Sequence, residues 1–321
     1  MRRIHSAVSA LAMSVAVSAT GHAESYDYQV EILYDASRYS DQTRFSDPFL
    51  LSMESATSES DDDRIGFAGT WFFDGVAAST GPESRAAFIS RASGVSFTYT
   101  RGNGDSAYTV NFSDPAAPPS MGSSEQTTNS ISTDLRWVWP ESGWYGLAGL
   151  SRVDSESNSE FGSTDLTVDA LSLGIGRYIG AQTALELSVA RSDTSDSAIG
   201  IGGNSTSATE TSVGFLHIGS LGGTWQYGTD IVLSTTDRGL SDGSYSARLS
   251  LYPSRPLAFG IELDGALEDS GDASAGYGLF ASWFPRERME LEARYGWIDY
   301  DISSSSDLDQ YTFGIGVNFR F

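Results

Sequence analysis

The side chains best placed to act on a solute are Asp134, Arg136, Arg152, Glu210, Asp230, Arg248, Glu262, Asp264, Glu290, Glu292, Arg294 and Arg320, a mixed set of carboxylates and guanidiniums. Most fall in stretches where apolar residues take every second position and the charge takes the gap. MELEARYGW sets Met289, Leu291, Ala293, Tyr295 and Trp297 against Glu290, Glu292, Arg294 and Gly296. Alternation of this kind puts the two sets on opposite faces of a strand. Rows of Arg facing carboxylates across a wet space set up a transverse field that sorts ions by sign. On a closed wall the same charges would only pair with one another.

Covalent chemistry finds little to work with. Beyond the first 23 residues the chain holds one histidine, His217, and its alternation with Val213 and Phe215 places it on the apolar face. Barrel hydrolases depend on a histidine base, and a carboxylate pair two residues apart on one strand, such as Glu290 and Glu292, is common in channel walls. No phosphate loop or metal-ligand spacing occurs, and the absence of cysteine removes disulfides and thiolate sites. The acidic run Glu59, Asp61, Asp62, Asp63 lacks the EF-hand spacing and reads as a solvated patch. No catalytic residue, metal site or cofactor is expected. The formal charge of −23 repels nucleic acid. Lysine is absent, so every basic side chain is Arg.

The elements that would position these residues follow from the rest of the chain. Residues 1–23 carry Arg2 and Arg3, a small apolar run and Gly21-His22-Ala23, the layout of an export signal cleaved after Ala23. No later apolar run is long enough for a membrane helix. No apolar spacing of three and four persists over several turns, so residues 24–321 read as all-β. The alternation recurs in LAFGIELDGAL (257–267), GTWQYGTDIVL (223–233) and the final YTFGIGVNFRF, which ends on Phe321. Short connections at 139–144, 178–183, 219–224, 252–257 and 284–289 take turns with long polar ones at 154–165, 192–209, 235–243, 268–275 and 301–309. That meander is what a transmembrane antiparallel up-and-down β-barrel requires, with tight periplasmic turns and longer external loops. Trp71, Phe73, Trp139, Trp144, Tyr178, Trp225, Tyr252, Trp283 and Phe284 crowd toward the short turns, and Tyr34, Tyr99, Tyr245, Tyr277 and Tyr300 toward the long loops, as two interfacial girdles would. In strand 166–178 the outward face is ambiguous, since Leu171, Leu173 and Ile175 oppose Tyr178.

Counting back from the last strand gives about 14 strands, with residues 102–126 as an external excursion. Counting YTVNF (108–112) and FLLSM (49–53) as strands gives 16 as the alternative. By parity, 73–101 contains a long periplasmic connection in which Ser84 to Arg91 form a short helix.

Gly81-Pro82 followed by Ala86-Ala87-Phe88 before the third strand, with the export signal, meander and terminal aromatic strand, resembles the general porin family of Gram-negative outer membranes. The last strand also resembles the signal read by the barrel-assembly machinery. The resemblance implies an integral outer-membrane protein surrounded by lipid and lipopolysaccharide, a monomer or homo-oligomer, that passes small hydrophilic solutes. The acidic loops add a preference for cations. The competing expectation is a non-conducting structural or adhesive barrel.

Overall fold

Period-two patterning fixes the local structure: each segment can shield one face only by lying in a sheet, and a sheet in a membrane must have no edge. The computed structural model describes residues 25–44, 53–77, 82–112, 119–160, 162–198, 201–237, 239–267, 273–301 and 306–321. Residues 1–23, expected as an export signal, and residues 49–52 lie outside this set. Fourteen strands follow in order: β1 Ser25–Arg44, β2 Met53–Ala77, β3 Gly94–Phe112, β4 Ser120–Trp139, β5 Trp144–Ser159, β6 Gly162–Tyr178 and β7 Thr183–Ala198, then β8 Ile201–Gly222, β9 Trp225–Thr236, β10 Gly239–Ser254, β11 Leu257–Leu267, β12 Ala273–Arg286, β13 Met289–Asp301 and β14 Ser306–Arg320.

Each strand pairs antiparallel with its sequence neighbours, and β14 closes on β1 to make a complete barrel. The seam runs from Gln29↔Arg320 through Leu33↔Gly316 to Thr43↔Ser306. At its lower end the Phe321 carbonyl accepts the Asp27 and Tyr28 amides at 2.7 and 3.1 Å.

The strand number is fourteen, and the sixteen-strand alternative is not adopted. Residues 108–112 are the far end of β3, paired with β4 as far as Val110↔Ser120. The stretch 102–126 is therefore mostly ladder rather than a looped excursion. Ser, Thr, Asp and Gly on both faces hide this in the sequence, since a strand standing in water on both sides needs no alternation. Wall height is uneven: β2 has 25 residues and β11 has 11. At about 3.3 Å per residue and a tilt of about 40°, β2 spans roughly 60 Å, against about 25 Å for an apolar band.

Side chains sort by face. Leu135, Leu150, Leu171, Leu173, Leu187, Val213, Leu279 and Phe313 stand exposed on the outside, where acyl chains would cover them. His217 is also on this face, its Nδ1 2.8 Å from Thr183 Oγ1 and its Nε2 3.2 Å from Tyr227 Oη. A girdle of Trp71, Trp137, Trp139, Trp144, Trp225 and Trp283 rings the outside toward the short turns. Tyr178, Tyr252 and Phe284, expected in that girdle, are buried on the inside instead.

At the same end Tyr145 is fully buried against Gly176 on the paired strand, its ring filling the space a Cβ at Gly176 would need. Gly176→Val should evict the ring and cost about 1–3 kcal/mol. It is read as a lower temperature for loss of the compact barrel band on a detergent gel; an unchanged temperature would show that the Tyr145 packing is dispensable.

Candidate functional site

The concave face is identified by contacts between strands that are not neighbours. Arg294 on β13 reaches Asp35 on β1 at 3.2 Å, past β14, and Arg248 on β10 reaches Glu292 on β13 at 3.7 Å, past β11 and β12. Such pairs meet only inside the barrel. The interior divides into two storeys with different physics.

The storey toward the long hairpins is polar. Arg248 also pairs with Glu262 at 3.0 Å and lies over the Phe280 ring at 3.7 Å. Asp35, Asp62, Arg64, Glu262, Arg294, Gln126 and Gln310 line a recess of about 480 Å³. Inward carboxylates repeatedly sit where a neighbouring strand has glycine: Asp62 over Gly104, Asp134 over Gly149 and Asp264 over Gly276. The missing Cβ makes the room that a charged group on a crowded concave wall requires. Charge is concentrated on β10, β11, β13, β1 and β2. From β3 to β9 hydroxyls dominate the same height, with contacts such as Ser212 to Ser234 at 3.0 Å and Thr128 to Ser155 at 3.1 Å.

The storey toward the short turns is packed. The β2–β3 connection enters the barrel there, as a 3₁₀ turn Glu83–Arg85 followed by the helical turn α1, Ala86–Ile89. This helix matches the expectation for Ser84 to Arg91. Phe88 seats among Val138, Tyr145, Tyr178, Ala184 and Ile218, which belong to five consecutive strands, β4 to β8. Its ring lies 5.5 Å from that of Tyr178, and Tyr178 lies 5.1 Å from Tyr145. On the other side Ala86 and Ala92 pack on Tyr26, Phe72 and Val76 of β1 and β2.

Polar contacts fix the remaining directions. Arg85 donates to Tyr252 Oη at 2.9 Å and pairs with Asp230. The Glu83 amide donates to the Arg255 carbonyl at 3.1 Å, and its carboxylate faces Arg255 at 2.5 Å and Arg320 at 3.5 Å. Burial lifts the Glu83 carboxyl above the ordinary carboxylate range, while Arg255 and Arg320 pull it back down. Arg91, with φ 52°, donates to the Gly180 carbonyl at 2.6 Å and lies over the Tyr178 ring at 4.8 Å. Residues Pro82–Ser93 thus form a strap touching walls on opposite sides of the interior.

Of the charged residues read from the sequence, Asp134, Glu210, Glu262, Asp264, Glu292, Arg294 and Arg248 share the inner face in the polar storey, by register with its contacts. Arg136, Asp230, Glu290 and Arg320 are also inward but belong to the packed storey. Arg136 donates to Tyr178 Oη at 2.8 Å, and Glu290 accepts from Ser282 at 2.5 Å and Asn318 at 3.3 Å. Arg320 is buried over the Tyr26 and Phe284 rings at 5.0 and 4.6 Å.

Arg152 is a correction. It pairs across from Ile131 and Asp169, shares the face of Leu150, and meets Asp154 and Asp169 at 3.0 and 3.7 Å on the outside of the wall. Above the apolar band an outward guanidinium is solvated and paired, so its charge is no guide to its face. The same register resolves strand 166–178: Leu171, Leu173 and Ile175 are outward and Tyr178 is inward.

Sequence reasoning missed inward Glu31, Asp35, Asp62, Arg64 and Glu186, and the strap residues Glu83 and Arg85. Alternation with Val30, Ile32 and Tyr34 would have found Glu31 and Asp35. The acidic patch splits by face: Asp62 lines the recess, while Arg38 approaches Glu59 and Asp61 at 3.9 and 3.6 Å.

No protein-family model and no curated protein sequence matches the chain. Solved structures do. The outer membrane protein Omp33 from Acinetobacter baumannii aligns with a TM-score of 0.53 at 15% identity, over 93% of this chain and 99% of that one. The toluene transporter TodX from Pseudomonas putida aligns with a TM-score of 0.50 at 8% identity, over 92% of this chain and 89% of that one. At these identities the likeness establishes the outer-membrane barrel fold and nothing finer.

The Arg85–Asp230 contact is a charge-assisted hydrogen bond inside the packed storey, so Asp230→Ala should destabilise by about 2 kcal/mol. Arg85→Ala should cost a similar amount. The double variant should lose clearly less than the sum, measured by denaturant unfolding in micelles; additive losses would show that the pair does not hold the strap.

Proposed function

We propose that this protein is an outer-membrane channel for the passive diffusion of small hydrophilic solutes, with a preference for cations. The observation that carries the reading is the polar storey: a wall of hydroxyls facing a wall of paired charges, around a recess enclosed by a barrel whose outer face is apolar. In the polar storey the inward carboxylates Asp35, Asp62, Asp134, Glu210, Glu262, Asp264 and Glu292 outnumber Arg64, Arg248 and Arg294. A wall of that sign raises local cation concentration and repels anions. Passage is sorting by size and field, with no bond made or broken.

The chain reaches the membrane by its export signal and the assembly machinery, the latter engaging the strand that ends at Phe321. Outer-membrane lipid and lipopolysaccharide cover its apolar face, and it acts as a monomer or a homo-oligomer. The short turns then face the periplasm and the tall hairpins the exterior. The strap across the periplasmic mouth favours a second reading, a non-conducting structural or adhesive barrel, which predicts no stable current steps at all.

In planar bilayers under a salt gradient, the channel's current steps should reverse at a potential favouring cations, and a reversal favouring chloride would sink the assignment. Arg248→Gln or Arg294→Gln should strengthen cation preference by removing inward positive charge. Arg152→Gln, on the outer face, should leave selectivity unchanged.

A further inference from the structure

We infer that Pro82–Ala92 is a displaceable plug: it latches across the periplasmic mouth, and solute passes only when it swings clear. The inference rests on the channel reading above and adds the step that controls it.

Three features separate the strap from the wall. First, the barrel does not need it. The β2–β3 ladder is complete at Phe72↔Gly94, yet β2 and β3 are joined by the 16 residues 78–93 where two are enough for a hairpin. The short turn between Ser254 and Leu257 shows what this end requires. Second, between Pro82 and Ala92 the strap joins no strand pairing. It is held by point contacts: Arg85 on Asp230 and Tyr252, Glu83 on Arg255 and Arg320, and Phe88 in its aromatic socket. Breaking these leaves every ladder intact. Third, the backbone is left-handed at Arg91 (φ 52°) near its end. At Arg91 a side chain bears a conformation suited to glycine and is held there by the Gly180 carbonyl and the Tyr178 ring. Release of the latch lets Arg91 relax, so this position acts as a hinge.

The packing states what the latch does. Above the strap the interior is lined by charge and hydroxyl; at its level Tyr145, Tyr178, Val76 and Tyr252 are almost wholly buried. Side chains of the wall alone do not fill a barrel of fourteen strands. Phe88 occupies the centre of its socket, and Ala86 and Ala92 fill the space beside Tyr26, Phe72 and Val76. Removing Phe88 and the two alanines turns a closed floor into a water-accessible opening.

The chain has no cysteine, which makes the test direct. The Glu83 amide to Arg255 carbonyl hydrogen bond of 3.1 Å brings two backbones within disulfide reach. Glu83→Cys/Arg255→Cys, oxidised, should hold conductance at its closed level. Adding a thiol reductant to the same bilayer should raise open-channel current several-fold, because reduction frees the tether and the native ion pair is gone. Arg85→Ala/Phe88→Ala should show the raised current without reductant, and compact barrel bands on detergent gels confirm that each variant is folded. Equal, open conductance in the oxidised and reduced forms would overturn the plug while leaving the channel standing. No current from either form, nor from a folded chain whose strap is replaced by a short Gly-Ser turn, would remove the channel reading and the plug with it.

Discussion

Within a bilayer no water is available to an unpaired amide or carbonyl, and each such group costs several kcal/mol. The rest of this molecule depends on how that demand is met. A sheet meets it only by having no edge, and here the seam between β1 and β14 removes the last one. Once the sheet is closed, side-chain period two becomes an inside and an outside. The apolar half of every strand is committed to the exterior, and whatever polarity the strands carry is turned inward.

Closure also creates the problem that the strap addresses. A fourteen-stranded ring is too wide for its own side chains to fill, yet its end toward the short turns is packed around buried aromatic clusters. The extra volume comes from one connection folded inward, with a phenylalanine in an aromatic socket and ionic contacts at its start. At the upper edge of the packed storey Arg136 lies over the Tyr145 ring at 4.3 Å while donating to Tyr178 Oη. The interior is thus neither a uniform water-filled tube nor a solid core.

Much of the wall was legible in the residues. Tryptophans gathered at short turns, long polar stretches between them and an even strand count followed from alternation and parity. The same signals failed where a side chain's chemistry did not match its face. Tyr178 and Tyr252 have the amphipathic rings of a girdle, but they point inward to meet Phe88 and Arg85. Arg152 has the charge of a lumen residue, but it stands outside beside Asp154 and Asp169. The upper ends of β3 and β4 read as loop because water on both sides demands no pattern.

The sequence by itself determined a closed antiparallel wall of about fourteen strands, since periodicity and connection length are local properties that survive without knowledge of partners. The tertiary structure alone decided what occupies the hollow. Gly81-Pro82 and Ala86-Ala87-Phe88 mark an unusual turn, but nothing local says that the turn folds inward or that Phe88 will sit among five different strands. That arrangement depends on curvature, which brings Val138, Tyr145, Tyr178, Ala184 and Ile218 around one point although 80 residues separate the first from the last.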